Sequence, residues 1–192
     1  MNPKDLTNRY YSSNSQEYVS STLGVNMQEH YDRFLPYLPK GANILDVGFG
    51  SGRDIAYFTN LGYNVTGIDI VEEFVAMATN NGYNTHLADF HILPYSNVFD
   101  GVWACASLLH SDNLPLAFNS INKALKEDGI AYVSMKLGSG TAIENGRFYQ
   151  YVDENSLKKL CDESNFSILS TYVSNDLLNR NNCWINAVLR KN

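Results

Sequence analysis

A chain of 192 residues can enclose one well-formed core and is short for two. With 44% hydrophobic and 18% charged residues it reads as a globular domain, not a disordered or fibrous one, and a formal charge of −6 argues against a surface built to gather polyphosphate. No signal peptide and no membrane-length apolar run is legible, so the expected location is the cytoplasm, with no membrane contact; Cys105, Cys161 and Cys183, in no metal-type spacing, are expected as free thiols.

Residues 1–25 are polar and rich in Asn, Ser and Tyr, and are expected as a mobile arm or a cap over a ligand, outside the core. Residues 26–192 then form one domain. Asn26 to Leu38 has helical spacing, with Met27, Tyr31, Phe34, Leu35 and Leu38 on one face. Ile44 to Val47 is a short buried strand, and Gly48-Phe49-Gly50-Ser51-Gly52 turns it into a helix running from Asp54 to about Leu61. Further strands follow at Asn64–Asp69, Asn84–Leu87, Phe99–Cys105 and Ile130–Met135, with helices at Val71–Asn81 and Asn113–Leu125 between them. Gly138 to Gln150 is expected as a glycine-containing loop, Glu154 to about Ser164 as a helix, and Phe166–Val173 and Cys183–Leu189 as a closing antiparallel pair. Alternating strands and helices predict an α/β fold: a doubly wound, mostly parallel seven-stranded sheet with one antiparallel strand from a C-terminal hairpin, and helices on both faces.

In such a sheet, ligands sit beyond the carboxyl ends of the strands. The residues there are informative. Glycines let the backbone approach a ligand closely, and the helix beyond offers unpaired N–H groups. A dinucleotide fingerprint would place its third glycine one residue later, where Arg53 stands. Asp46, inside the strand end, would repel a pyrophosphate but suits a cationic amino-acid end. Asp69 ends the second strand and could accept both hydroxyls of a ribose, or simply cap the next helix. Asp89 and Phe90 follow the third strand, placed for an exocyclic amine and a base, though Asp89 also reads as a turn residue.

The stretch from Ile44 to Asp54 resembles motif I of the class I, Rossmann-like methyltransferases, as does Phe99-Asp100-Gly101-Val102-Trp103 their F-D-x-V segment. Leu125 to Ile130 is similar to their L-K-P-G-G turn, with Glu127 and Asp128 in place of Pro and Gly. Trp103 to His110 resembles a small bacterial subgroup of unnamed substrate, and Phe49 departs from the small residue usual between the glycines. The resemblance implies S-adenosylmethionine as cofactor, held by Tyr11, Asp46, Gly48, Phe49, Gly50, Arg53, Asp69, Ile70, Asp89, Phe90, Ala104 and Cys105. No metal is implied. The acceptor is expected to be a small molecule rather than nucleic acid, with His110, Arg147 and Tyr149 on its side of the site, and Asp112 and Glu144 as further candidate bases. Arg147 would clamp an anionic acceptor, and the loop around it would meet the N-terminal arm as a lid. An RNA or protein methyltransferase, a cofactor-binding partner without turnover and, least, a nicotinamide oxidoreductase remain as alternative readings.

Overall fold

The computed structural model describes residues 2–192. Its strands are β1 (Asn43–Val47), β2 (Asn64–Asp69), β3 (Thr85–Leu87), β4 (Phe99–Cys105), β5 (Leu125–Lys136), β6 (Thr141–Glu144), β7 (Arg147–Gln150), β8 (Phe166–Asn175) and β9 (Cys183–Lys191). Seven of them form one sheet in the order β3-β2-β1-β4-β5-β9-β8. Pairing is parallel from β3 to β5, and β9 alone runs against its neighbours. The order reverses between β1 and β4, which is where an open α/β sheet leaves a crevice.

The helices are α1 (Pro3–Ser13), α2 (Ser15–Thr22), α3 (Gln28–Phe34), α4 (Arg53–Asn60), α5 (Glu72–Asn80), α6 (Leu114–Ala124) and α7 (Glu154–Glu163). Both faces of the central strands are covered, so their sequences are near-continuously apolar. Leu45, Val47, Val102, Ala131 and Val133 face α6 and α7, whose Phe118, Ile121, Leu157 and Leu160 complete that layer. Ile44, Trp103, Ile130 and Tyr132 face the other way, onto Tyr31 and Phe34 of α3 and Phe58 of α4.

Three expectations change. The polar N-terminus is helical: Asn2 caps α1 by accepting from the Asp5 N–H at 2.8 Å, and Pro3 occupies the first turn. The segment expected as a loop is the β6–β7 hairpin. Asn145 (φ +49°) and Gly146 (φ +77°) both take positive φ, the two-residue turn whose twist matches paired strands. The helix ahead of β1 also ends sooner than its spacing suggests, because α3 gives way to a tight turn at Leu35–Tyr37 around Pro36.

One polar cluster ties the layers together. The Asp54 carboxylate is buried and accepts from Tyr31 of α3, from the Trp103 indole of β4 at 2.8 Å, and from Arg53 at 2.7 and 2.9 Å. Burial alone would raise its pKa; the Arg53 guanidinium and these donors reverse that and hold it below the ordinary value. Its contribution to stability is therefore complete above the unfolded carboxyl's value of 3.8 and is lost as pH falls below it. Asp54→Ala leaves a buried guanidinium without its counter-charge, so unfolding free energy should drop by about 3–5 kcal/mol, read from the shift of the urea midpoint.

Candidate functional site

The site begins where β1 stops. Gly48 (φ +68°) and Gly50 (φ +53°) are in the left-handed region, and space excludes side chains there as well. A Cβ on Gly48 would lie 2.5 Å from Ser107 Cβ, and one on Gly50 would lie 2.9 Å from the Tyr18 ring. The turn is thus pressed between the end of β4 and the arm. Asp69, at the end of β2, holds it from beneath, accepting from the Gly50 N–H and the Val71 N–H, both at 3.0 Å. Burial pushes the Asp69 carboxyl up to about 6 against those two donors. On the adjacent strand end, Asp46 is 2% exposed and its Oδ2 has no hydrogen-bond partner among the described residues. Burial and the nearby carboxylates of Asp54 and Asp69 push its pKa well up, with Arg53 opposing. An unpartnered carboxylate oxygen in that setting calls for a cationic hydrogen-bond donor.

Above this turn lies a cavity walled by Gly48, Gly50, Asp69 and Ile70, then by Ala88, Asp89 and Phe90 after β3, and by Ala106, Ser107 and His110 after β4. Tyr11 and Tyr18 of the arm close it. Asp89 is already engaged: His91 donates from its backbone at 2.9 Å and lies at 2.8 Å through Nδ1, and Lys4 of α1 pairs with the other oxygen at 2.8 Å. The His91 contact, then Lys4, holds the Asp89 carboxyl well below the ordinary range.

The remaining predicted residues sit elsewhere. Phe49 does not face the cavity; its ring packs with Ile55, Val71 and Phe74 under α4 and α5. Ala104 is wholly buried in the core layer facing α6, on the opposite side of β4 from Trp103. Arg53 and Cys105 line a second cavity, described below, and not the first. Arg147 stacks 4.4 Å over the Tyr10 ring and touches neither cavity, so it is not aimed at an acceptor in this arrangement. Tyr149 is 5% exposed beneath Lys136, whose Nζ is 3.7 Å from its ring centre and is paired with Glu144 at 2.7 Å. Asp112 is exposed, outside both cavities.

His110 lines the cavity, but both its nitrogens are taken. Nδ1 is 2.6 Å from the Phe148 carbonyl and must donate to it, leaving Nε2 to accept from the Tyr11 hydroxyl at 3.0 Å. That contact belongs to a row of arm contacts. Lys4 reaches Asp89, the Phe148 N–H donates to Thr7 Oγ1 at 3.0 Å, and Ser12 donates to Glu73 at 2.9 Å. Arm and hairpin therefore meet beside the cavity, whose wall includes residues of the arm but none of the hairpin. Lys4, Thr7 and His91 were not legible as site residues, because only their long-range partners give them a place.

Comparison with known proteins agrees with this geometry. Residues 45–133 match the family model described as a methyltransferase domain. A sterol 24-C-methyltransferase of Gibberella zeae is 34% identical over 114 residues, 53% of this chain and 30% of that protein. A ubiquinone biosynthesis O-methyltransferase of Glaesserella parasuis is 29% identical over 106 residues, 49% of this chain and 45% of that protein. The chain thus spans less than half the length of these relatives. Among solved structures, the Burkholderia thailandensis 1,6-didemethyltoxoflavin-N1-methyltransferase, with 1,6-didemethyltoxoflavin and S-adenosylhomocysteine bound, is 22% identical and covers 100% of this chain and 91% of that one at a TM-score of 0.84. The [4+2]-cyclase SpnF, 19% identical, covers 96% of this chain and 94% of its own at 0.79. At these identities the likeness shows the fold alone.

The Tyr11–His110 contact has a measurable pH dependence. Burial, outweighing the bond to Phe148, lowers the His110 pKa from 6.5 to about 4. Tyr11 supplies part of that burial, so freeing the arm moves the His110 pKa up toward 6.5, and docking is complete above 6.5 and weakens as pH falls toward 4. Limited proteolysis should cut residues 2–22 faster at pH 5 than at pH 7.5, while Tyr11→Phe should be cut roughly 5–10-fold faster already at pH 7.5, the loss of about 1 kcal/mol of hydrogen bond.

Proposed function

We propose that this chain, whose residues 45–133 match the methyltransferase domain model, binds S-adenosylmethionine in the first cavity and transfers its methyl group to a small molecule. The observation that carries the reading is the pair of strand-end carboxylates at the glycine turn, Asp46 with an unpartnered oxygen and Asp69 beside it. Asp46 would take the ammonium of the methionine end. Asp69 has a second lone pair on each oxygen and would accept from the ribose hydroxyls while still holding the turn. Ile70 and Phe90 would flank the base, and Asp89 would accept its exocyclic amine in competition with Lys4.

When bound, the cofactor supplies an already activated methyl group. The chain's own part is to hold the acceptor in line and keep water out. Tyr11, Tyr18, His110 and the β6–β7 hairpin are suited to the second task. A small acceptor is supported by the names of the relatives, which act in sterol, ubiquinone and toxoflavin chemistry, and by a net charge of −6 unsuited to nucleic acid.

Calorimetry with S-adenosylmethionine and S-adenosylhomocysteine, with NADH as control, tests the cofactor. Binding of both and not of NADH is expected. Asp69→Ala should weaken S-adenosylhomocysteine roughly tenfold to a hundredfold, the worth of about 1.5–3 kcal/mol in charge-assisted contacts. It should also lower thermal stability, since two buried N–H groups lose their acceptor. Unchanged affinity in a folded Asp69→Ala would remove Asp69 from the ribose.

A further inference from the structure

A second cavity opens beyond the first, and the two share Tyr18 and Ala106 as walls. It lies at the C-terminal ends of β4, β5 and β8, between α2 and α3 on one side and the β8–β9 turn on the other. Val25, Met27, Leu178 and Trp184 give it an apolar side; His30, Arg53, Ser134 and Asn186 give it a polar one. Ala106 is in the left-handed region (φ +54°), which for a residue with a side chain is strained backbone, and it stands at the junction.

The His30 ring in that wall has one nitrogen held and one open. Nδ1 is 2.7 Å from the Tyr172 hydroxyl and 2.9 Å from the Tyr132 hydroxyl. Tyr132 has a single proton, and it goes to Asn186 Oδ1 at 2.8 Å. The orientation of Asn186 is fixed, because its Nδ2 faces the carbonyls of Tyr172 and Trp184 and the Ser174 hydroxyl. With its proton on Asn186, Tyr132 is left to accept from His30, which assigns the proton to Nδ1, with the Tyr172 oxygen as its second acceptor, and a lone pair to Nε2; a Tyr172 hydroxyl donating to Nδ1 would give the other tautomer. Among the described residues Nε2 has no partner. His110 offers no such lone pair, as both its nitrogens are bonded.

We propose that the second cavity is the acceptor compartment, that it takes a small aromatic molecule bearing a weakly acidic hydroxyl, and that His30 Nε2 is the base that removes the hydroxyl proton. The proposal rests on the methyltransferase reading above. In the step, the acceptor O–H bond breaks toward Nε2, an oxygen–carbon bond forms to the methyl group, and the carbon–sulfur bond of S-adenosylmethionine breaks with its electron pair left on sulfur. The positive charge passes from the sulfonium to the imidazolium, and atoms and charge balance. Burial keeps His30 below its ordinary range, so it is a neutral base at pH 7; Arg53 from α4 and Arg33 of its own helix act the same way, while Glu29 and Asp54 oppose them. Across the cavity, Arg180 is closed onto Asp176 at 2.8 Å.

The test uses 4-nitrophenol, whose phenolate is coloured, with the protein both free and saturated with S-adenosylhomocysteine. With S-adenosylmethionine present, the wild type should methylate the probe, read as loss of phenolate colour after alkalinisation. His30→Asn keeps an N–H donor where Nδ1 was, so it should melt near the wild type and bind S-adenosylhomocysteine as well, yet methylate the probe at least tenfold more slowly. Nitrogen-15 NMR of the His30 ring at pH 7 should find Nδ1 protonated and Nε2 bare, with the Nε2 resonance shifting when the probe binds. Equal methylation by His30→Asn, no binding to the wild type, or a proton on Nε2 in the free protein overturns the proposal. Failure of S-adenosylhomocysteine to bind would instead overturn the cofactor reading, and the probe titration on free protein separates the two.

Discussion

A single buried carboxylate fixes how the layers of this protein meet. Asp54 stands at the start of α4, directly after the glycine turn, and gathers a phenol from α3, an indole from β4 and the guanidinium of its own neighbour. Each donor would be costly to bury alone. Together they set the depth of α4, and so the position of the glycine turn that α4 follows. Tyr31 stacks on Tyr57 at 3.9 Å and Trp103 on Tyr132 at 4.0 Å, so the polar contacts are clamped by rings on both sides. Asp46 and Asp69 thereby stand at neighbouring strand ends beside the turn, Asp69 also holding it through the Gly50 and Val71 N–H groups.

The closure over that place is built differently. α1 buries only Thr7, and α2 only Ser15 and Thr22. Neither docks through an aliphatic stripe. They are held by hydroxyls, one ion pair and edge-to-face rings such as Tyr11 on Tyr18 at 5.1 Å and Tyr11 on His110 at 5.5 Å. Contacts of this kind are individually weak and directional, which suits an element that must let a ligand pass. The hairpin opposite is stiffer: Lys136 reaches Glu144 across it and lies on Tyr149.

This difference explains what the sequence disclosed. The sheet, its order of elements and the acids at the strand ends were legible, because buried parallel strands are apolar runs and glycines mark their turns. The arm was not, since periodicity searches look for apolar residues and its buried ones are Thr and Ser. Its start was nevertheless written as Asn2-Pro3, an N-cap followed by a proline. Asn145-Gly146 likewise announced a hairpin, but Gly138 and Gly140 ahead of it suggested a loop. Where the Phe49 ring packs was not legible, because a turn between glycines does not reveal which way its side chain points. His30 could only be read as a helix residue; its partners Tyr132 and Tyr172 are 102 and 142 residues away.

Tyr18 belongs to a helix, not to the sheet, yet it forms the partition between the two cavities while its ring rests on Gly50. A partition that can shift makes the compartments thermodynamically linked. Whatever one occupant gains or loses by moving Tyr18, the other must feel by the same factor, because the coupling free energy between two sites is reciprocal. Cooperativity between the two occupants is then a property of eight residues of α2, whose side chains can be altered without touching the sheet or its carboxylates.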